Sequence, residues 1–518
     1  MTAQDMHDFL RRRYRRRSVL RGAVLLGAGA AIGPVLWRQS GLTDVAPIGP
    51  RWVSFGQDPA SQMWVSWSSG TASGGYPAPP APQVRWGLDS SYGSTAQASS
   101  AQVPVPAVAG EPAENTYYNR VSLTGLAPGT TYHYSVSNDG VSWSPDRVFT
   151  TAAAGKPDFR FTAFGDEAAS SARAAPMAAL AASLKPAFHL VAGDLAYATP
   201  HGLRIPDVTG FQPAQWDRYL RVVGGNAAMS VPWHPAVGAH EVEPLDDNGY
   251  AGFITRFAQP YNSASGSPVV GAFSYGNVAV IRLDGNDLSA QEPINNGYTG
   301  GAQTAWLQSA LEGYRAQGSG IDFIVVVCNC CCYSSNTVHG SDAGLRDVWG
   351  PLFDQYQVDL VISGHVHAYE RTNPMRAFEP TMEAAPGSTV RPAADGTTYI
   401  CAGGGGNGLY RTWYGSTGSG DGGSTAAPRV WQWSGGATAV GGIGKPVDVV
   451  DKVRGYSAVR RAVFCCLAID VSAPAAAGHQ TTMTIRTLMP AQTASAVTSI
   501  ADPAVIDSVT LVRTAGQA

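Results

Sequence analysis

An all-β sandwich followed by a larger α/β domain is the fold this sequence predicts, on three observations. Residues 47–153 alternate apolar and polar side chains in short runs punctuated by Pro and Gly. After Pro157 the rhythm changes to strand, loop, helix. Several apolar runs in that second part empty into short motifs of Gly, Asp and His, as happens at the carboxyl edge of an open α/β sheet, where ligands bind. With 518 residues the chain is long enough for two or three domains with cores of their own.

Residues 1–40 read as an address. Arg11 to Arg17 contain six arginines around Tyr14, followed by Ser18-Val19-Leu20-Arg21 and a Gly/Ala-rich apolar stretch from Gly22 to Trp37. Sixteen weakly apolar residues interrupted by Pro34 are short for a membrane span. Arg16-Arg17-Ser18-Val19-Leu20 resembles a bacterial twin-arginine export signal, which implies the twin-arginine machinery as a partner and a secreted, periplasmic or cell-surface location. The alternative is a basic tail on an uncleaved anchor. The formal net charge is −3, but residues 1–40 hold eight arginines and two aspartates, so the remainder carries 27 basic against 36 acidic residues. An acidic body excludes a nucleic-acid partner, because a phosphate backbone requires a basic face. Only 14% of residues are charged, whereas Gly numbers 60 and Pro 35, so the surface is expected to be rich in loops.

Within 47–153 the strand signals are Trp52-Val53-Ser54-Phe55, Met63 to Trp67, Val84-Arg85-Trp86, Tyr117 to Val121 and Thr131 to Val136. Leu126 to Tyr132 resembles the passage between two strands of a fibronectin type III module. His133 is read as a strand residue without a ligand role, and Ala152 to Lys156 as a linker.

The second part spans 157–518. Phe159 to Phe164 is an apolar strand ending in Gly165-Asp166, and Phe188 to Ala192 is another ending in Gly193-Asp194-Leu195-Ala196-Tyr197. The alanine-rich stretch Glu167 to Lys185 suits a helix that Pro176 must interrupt or restart. Val237-Gly238-Ala239-His240-Glu241 comes next, then a hairpin-like run from Ala272 to Asp284. Thr304 to Arg315 has helical spacing, with Trp306, Leu307 and Leu311 on one face. Ile321 to Val327 is a buried strand that runs into Cys328-Asn329-Cys330-Cys331-Cys332, and Leu345 to Tyr356 is a further helix. Val358 to Ile362 then delivers Gly364-His365-Val366-His367-Ala368-Tyr369-Glu370-Arg371. Two histidines two apart on extended backbone lie on one side and can reach neighbouring metal ions. Strand ends thus collect Asp166, Asp194, Tyr197, His240, Asn329, His365 and His367.

Seven cysteines, four of them crowded into 328–332, describe neither a zinc ribbon nor a disulfide scaffold. Cys328 and Cys330 flank Asn329, and alternation points their thiols away from its face, as expected for small buried hydrophobes. The glycine run 403–406 lacks the Lys-Ser/Thr end of a P-loop and reads as packing and turn. Arg411 to Val450 is expected to be a long loop lining the cleft, with Trp431 and Trp433 in reach of substrate, and Ala458 to Val512 to add strands.

The ordered set GDE, GDLAY, GAHE and GHVHAYER behind a fibronectin-like module resembles the purple acid phosphatase branch of the calcineurin-like metallophosphoesterases. The resemblance implies a four-layer α/β/β/α sandwich and hydrolysis of phosphate monoesters by a metal-bound hydroxide. It implies Fe(III) held by Asp166, Asp194, Tyr197 and His367, and a divalent Fe, Zn or Mn sharing Asp194. Hard carboxylate and phenolate oxygens suit a trivalent ion, which lowers the pKa of bound water. His240 and His339 match the outer histidines that orient phosphate oxygens or protonate the leaving alcohol.

The second metal site departs from the pattern. Ala239 stands where the family has an asparagine ligand, and Asn329 where it has a histidine, leaving Asp194 and His365 with Asn329 as a weaker third. Three readings follow: a dinuclear phosphatase whose second site is completed by water, Asn329 or a thiol; a one-metal or impaired relative that binds phosphate-bearing ligands; or a structural protein on a retired fold.

Overall fold

A computed structural model describes residues 45–70, 77–103, 116–199, 211–243, 248–415, 422–473 and 478–514; the leader expected over 1–40 lies outside them. The alternating stretch forms two antiparallel four-stranded sheets. One orders Ile48–Phe55, Met63–Ser69, Tyr117–Leu123 and Ser99–Gln102; the other Ser94–Gln97, Gln83–Gly87, Thr131–Ser137 and Arg147–Thr150. Period-2 alternation turns Val65, Trp67, Val84, Val121, Tyr134, Val136 and Phe149 into the space between them. His133 stays on the outer surface, 2.8 Å from Asp146.

The rest of the chain builds two seven-stranded sheets. The first runs Trp233–Pro235, His189–Val191, Phe159–Phe164, Cys466–Val471, Gln480–Gln492, Val497–Thr514, Ser388–Val390. The second runs Gly271–Tyr275, Val278–Arg282, Phe323–Cys328, Leu360–Ser363, Thr398–Ala402, Tyr369–Thr372, Ser457–Arg461. Both faces of these strands are apolar because each sheet is covered twice. Phe161, Ala163, Leu467 and Ile469 of the first sheet meet Val280, Val325, Leu360 and Ile362 of the second in one shared core. The outward residues pack on helices: Phe164, Val191 and Cys466 against Met177, Leu180, Trp216 and Tyr219, and Ile281, Ile324 and Val326 against Leu307, Leu345 and Trp349. The layers are therefore α/β/β/α. Each fully buried Leu, Ile or Phe stabilises by roughly 1.5–3 kcal/mol.

Helix boundaries differ from the sequence expectation in an instructive way. The helix expected from Glu167 runs only from Ala174 to Ser183. Pro176 thereby falls in its first turn, where an N–H is unsatisfied in any case, and interrupts nothing. The other two expected helices span Ala302–Arg315 and Ala343–Gln355. A fourth, Ala214–Asn226, escaped the sequence reading although Trp216, Tyr219, Leu220 and Val223 carry an i, i+3, i+4, i+7 stripe. The expected long loop after Arg411 also corrects: Arg429–Trp433 and Pro446–Val450 pair as an antiparallel hairpin. Trp433 is buried, its Nε1–H donating to Leu288 O at 3.1 Å, so it does not line an open cleft.

The first module is keyed into the second by its opening strand. Phe55 joins the shared core, 6.1 Å from Phe188 and 5.9 Å from Phe273 between ring centroids, and its N–H donates to His234 Nε2 at 3.1 Å. Val53 N–H donates to Ala228 O at 2.8 Å and Trp52 Nε1–H to Arg256 O at 3.1 Å. Phe55→Ala is expected to cost about 3–5 kcal/mol in urea unfolding of the whole chain; a loss below about 1 kcal/mol would mean that the two parts fold without this contact.

Candidate metal centre

Parallel pairing sets the strand ends level. Val191 lies opposite Phe164 and Pro235, and Cys328 opposite Ser363, which lies opposite Cys401. The loops leaving these strands therefore meet at one edge: Gly165-Asp166, Gly193-Asp194, the short turn Ala239–Glu241, Asn329 and Gly364-His365. Turning so soon after a strand forces left-handed backbone at Asp166 (φ 61°), Asp194 (φ 54°), Tyr197 (φ 54°) and His365 (φ 65°). Each such residue costs on the order of 1–3 kcal/mol, a strain that clusters at functional sites. Two glycines are demanded by close approach. A Cβ on Gly238 would lie 2.2 Å from Asp194 Oδ1, and one on Gly364 would lie 2.6 Å from Asp166 Oδ2.

Glu241 locks this edge from beneath. Its fully buried carboxylate accepts the N–H groups of Asp194, Leu195 and Gly238, each at 2.8 Å. Burial, and then the Asp194 charge, push its carboxyl well above the usual range. Asp194 Oδ1 in turn accepts His240 N–H at 3.1 Å.

Asp166, Tyr197 and His367 converge. The Tyr197 hydroxyl donates to Asp166 Oδ1 at 3.1 Å and lies 3.0 Å from His367 Nε2, which is 3.4 Å from Asp166 Oδ1. His367 Nδ1 lies 2.7 Å from Gly408 O, so Nδ1 carries the proton and Nε2 presents its lone pair to the cluster. Burial pushes His367 down to about 4, keeping it neutral. Burial, then Asp194, raises the Asp166 carboxyl well above its ordinary value, and Asp166 Oδ2 is buried without a hydrogen bond. Burial, then Asp166, likewise raises Tyr197. The donor set fits a hard cation: cis ligands of an octahedral ion with bonds of about 2.1 Å stand about 3 Å apart.

A second group surrounds Asn329. Its Nδ2 donates to Ala192 O at 2.9 Å, while Oδ1 is buried without a hydrogen-bond partner. That oxygen and Asp194 Oδ1 close on one point, 2.8 and 2.2 Å from where a Gly238 Cβ would stand. Ala239 is buried beside them and brings only a methyl. His365 is buried and its ring lies 4.1 Å from that of His339. Cys328 packs on the helix side with Leu345 and Trp349, and Cys330 Sγ approaches Ser289 Oγ at 3.6 Å, so neither thiol shares the Asn329 face; burial raises both. Among the described residues no three His, Cys, Asp or Glu side chains are gathered tightly enough to chelate an ion by themselves. The convergence depends on a phenol and an amide.

The outer residues are oriented by partners that sequence reasoning missed. His240 Nδ1 pairs with Thr199 O and its ring lies 4.0 Å from that of Tyr197. His339 Nδ1 is 2.6 Å from Gln291 Nε2. Tyr410 stacks on His367 at 4.2 Å and 11°. Glu241 was legible inside the GAHE motif, but Gln291 and Tyr410 arrive from loops distant in sequence with no motif of their own. The glycine run packs as read: Gly405 N–H donates to Gly165 O and Asn407 N–H to Asp166 O, both at 2.9 Å.

Comparison with known proteins agrees with this architecture. The family model for the purple acid phosphatase N-terminal domain matches residues 52–151, and that for calcineurin-like phosphoesterases matches 159–369. An uncharacterized protein of Mycobacterium tuberculosis is 33% identical over 410 residues, 72% of either chain. Purple acid phosphatase 23 of Arabidopsis thaliana is 26% identical over 388 residues, 69% of this chain and 79% of that one. The solved structure of a purple acid phosphatase from yellow lupin seeds superposes with a TM-score of 0.62 at 18% identity, covering 91% of this chain and 75% of that one. The chain belongs to the purple acid phosphatase-like branch of the calcineurin-like phosphoesterases.

Proposed function

We propose that this chain is an exported metallophosphatase that hydrolyses phosphate monoesters. Asp166, Asp194, Tyr197 and His367 would hold Fe(III), and Asp194, His365 and Asn329 a divalent Fe, Zn or Mn. The observation that carries the reading is the buried convergence of Asp166, Tyr197 and His367 at 3.0–3.4 Å, beside an Asp166 oxygen with no hydrogen bond. When bound, such ions lower the pKa of water and draw charge from phosphoryl oxygens.

The chain's own residues supply orientation and protons. His367 Nδ1–H is committed to Gly408 O, which fixes the ring and the nitrogen it offers. The Gln291 amide donating to His339 Nδ1 leaves the proton on Nε2, the tautomer that can be given to a leaving alcohol. His240 Nδ1–H is committed to Thr199 O, so its Nε2 offers a lone pair that can accept the hydroxyl proton of a protonated phosphate oxygen. Burial of Asp166 and Asp194 excludes water from their oxygens and strengthens their attraction for a cation. In the same proposal residues 47–153 are a supporting module and 157–518 the catalytic domain.

A second reading, a one-metal relative that binds phosphate-bearing ligands, is favoured by Ala239, whose buried methyl replaces a donor. Elemental analysis combined with p-nitrophenyl phosphate turnover separates the two. Two metals per chain, with turnover lost in Asp194→Ala, is the expected result. One metal and no turnover until Ala239→Asn and Asn329→His are introduced together would establish the second reading instead.

Glu241→Gln keeps the shape but turns an NH2 group toward backbone amides that both carboxyl oxygens now accept, and is expected to weaken metal retention about 10–100-fold on chelator titration. Export is checked by Arg16→Lys with Arg17→Lys, which should hold the protein in the cytoplasm; unimpaired export of that variant would exclude a twin-arginine route.

A further inference from the structure

The stretch from Ser334 to Gly340 carries His339 and has no helix or strand of its own beyond a single bridge at Asn336. A proton donor has to be held to within about 0.5 Å of its working position, so contacts from outside must fix such a loop. The contacts begin at Ser335. Fully buried Glu370 accepts its N–H through Oε2 at 2.9 Å and its hydroxyl proton through Oε1 at 2.5 Å. Both oxygens of one carboxylate thus close on one residue, at its main chain and its side chain together. Arg460, opposite Glu370 in the strand register, completes the anchor, with Nη1 donating to Ser335 Oγ and to Tyr414 O at 2.8 Å each.

From that anchor the loop runs antiparallel to Thr412–Tyr414. Tyr414 N–H donates to Ser335 O at 2.8 Å, Asn336 bridges Trp413, and Thr337 N–H donates to Thr412 O at 3.0 Å. Asn336 Oδ1 then accepts Val338 N–H at 2.9 Å, which turns the chain immediately before His339. The imidazole arrives 4.1 Å from the His365 ring, with Nδ1 2.6 Å from Gln291 Nε2. Glu370 lies in the strand Tyr369–Thr372, whose alternation divides its work. Tyr369 and Arg371 turn to Asp507, and Glu370 between them faces the other way, toward the His339 loop.

We propose that Glu370 is a positioning residue for His339: by fixing Ser335 it sets the register of the loop that brings the imidazole beside the metal centre. One motif then offers histidine nitrogen at His365 and His367 and, through Glu370, places the group that gives a proton to the leaving alcohol. The inference rests on the reading of the centre as a phosphatase in which His339 is that donor. It is separable from metal retention, because His367 is held independently by Gly408 O. It also predicts which substrates feel the loss. An alkyl alcohol leaves poorly unless it is protonated, whereas p-nitrophenolate leaves without a proton.

The test compares wild type, Glu370→Gln, Ser335→Ala, His339→Ala and Glu370→Gln/His339→Ala as metal-loaded full chains. Turnover of glycerol 2-phosphate and of p-nitrophenyl phosphate is measured beside metal content and amide hydrogen exchange. Glutamine keeps the shape of Glu370 but has one acceptor oxygen for two Ser335 donors. It is expected to lower kcat on glycerol 2-phosphate at least about tenfold and on p-nitrophenyl phosphate less than about threefold, with KM and metal content as in wild type. Ser335→Ala removes one of the two bonds and should show the same selective loss to a smaller degree. Exchange over residues 334–340 should quicken at least about threefold in Glu370→Gln, and that over 364–368 should not. In the His339→Ala background Glu370→Gln should leave the ratio of the two rates where it was. Equal losses on both esters, loss of metal, unaltered exchange over 334–340 or additive effects of the two substitutions would each overturn the proposal. A wild type that turns over neither ester would instead overturn the phosphatase reading, and hydrogen exchange would then decide by itself whether Glu370 holds the loop.

Discussion

Two buried carboxylates without a basic partner are the constraint around which the site edge is arranged. Several buried acids elsewhere are neutralised by arginine: Glu243 with Arg256, Asp359 with Arg315 and Arg513, Asp451 with Arg346, Asp507 with Arg371. Asp166 and Asp194 are as deeply buried, and among the described residues no Lys or Arg pairs with them. Asp166 faces instead a histidine that burial keeps neutral and a tyrosine whose own ionisation is suppressed. An uncompensated buried charge is expensive, and a cation at this edge would relieve that cost as arginine does elsewhere.

Holding such a cluster takes reinforcement from outside it. Glu241 spends one carboxylate on three amides so that the Asp194 and Gly238 loops cannot separate. The second half of GHVHAYER does comparable work at longer range. Tyr369 OH and Arg371 Nε each reach Asp507 Oδ2 at 2.6 Å, which ties the histidine-bearing strand of the second sheet to a late strand of the first. His365 and His367 offer nitrogen at one end of the motif, and Tyr369 to Arg371 clamp the two sheets at the other. A chain that strains its backbone at four site positions needs that clamp, since the strain would otherwise relax by moving the loops.

Periodicity and composition made much of the fold legible. Alternation identified the β module, and apolar runs ending in Gly-Asp marked the strands that carry the site. What escaped was set by context. Local propensity places the start of a helix poorly, and the segment from Glu167 became loop because Asp166 and Ala168 must take left-handed backbone beside the cluster. The hairpin Arg429–Trp433 with Pro446–Val450 hid in a Gly- and Trp-rich stretch because its register depends on Ser341 and Asp342 pairing with it from elsewhere in the chain.

The sequence by itself determined which residues stand at the strand ends, because identity and spacing are properties of the chain. Tertiary structure alone decided what those residues do together. Level strand ends bring Asp166, Tyr197 and His367 into contact across 202 positions of sequence. Burial makes carboxylate charge at Asp166 and Asp194 a liability, and only the fold shows that Asn329 keeps its oxygen free of hydrogen bonds beside Asp194 while the neighbouring thiols turn away. Protonation, strain and orientation come from the environment of a side chain, and that environment is assembled from segments that no local pattern connects.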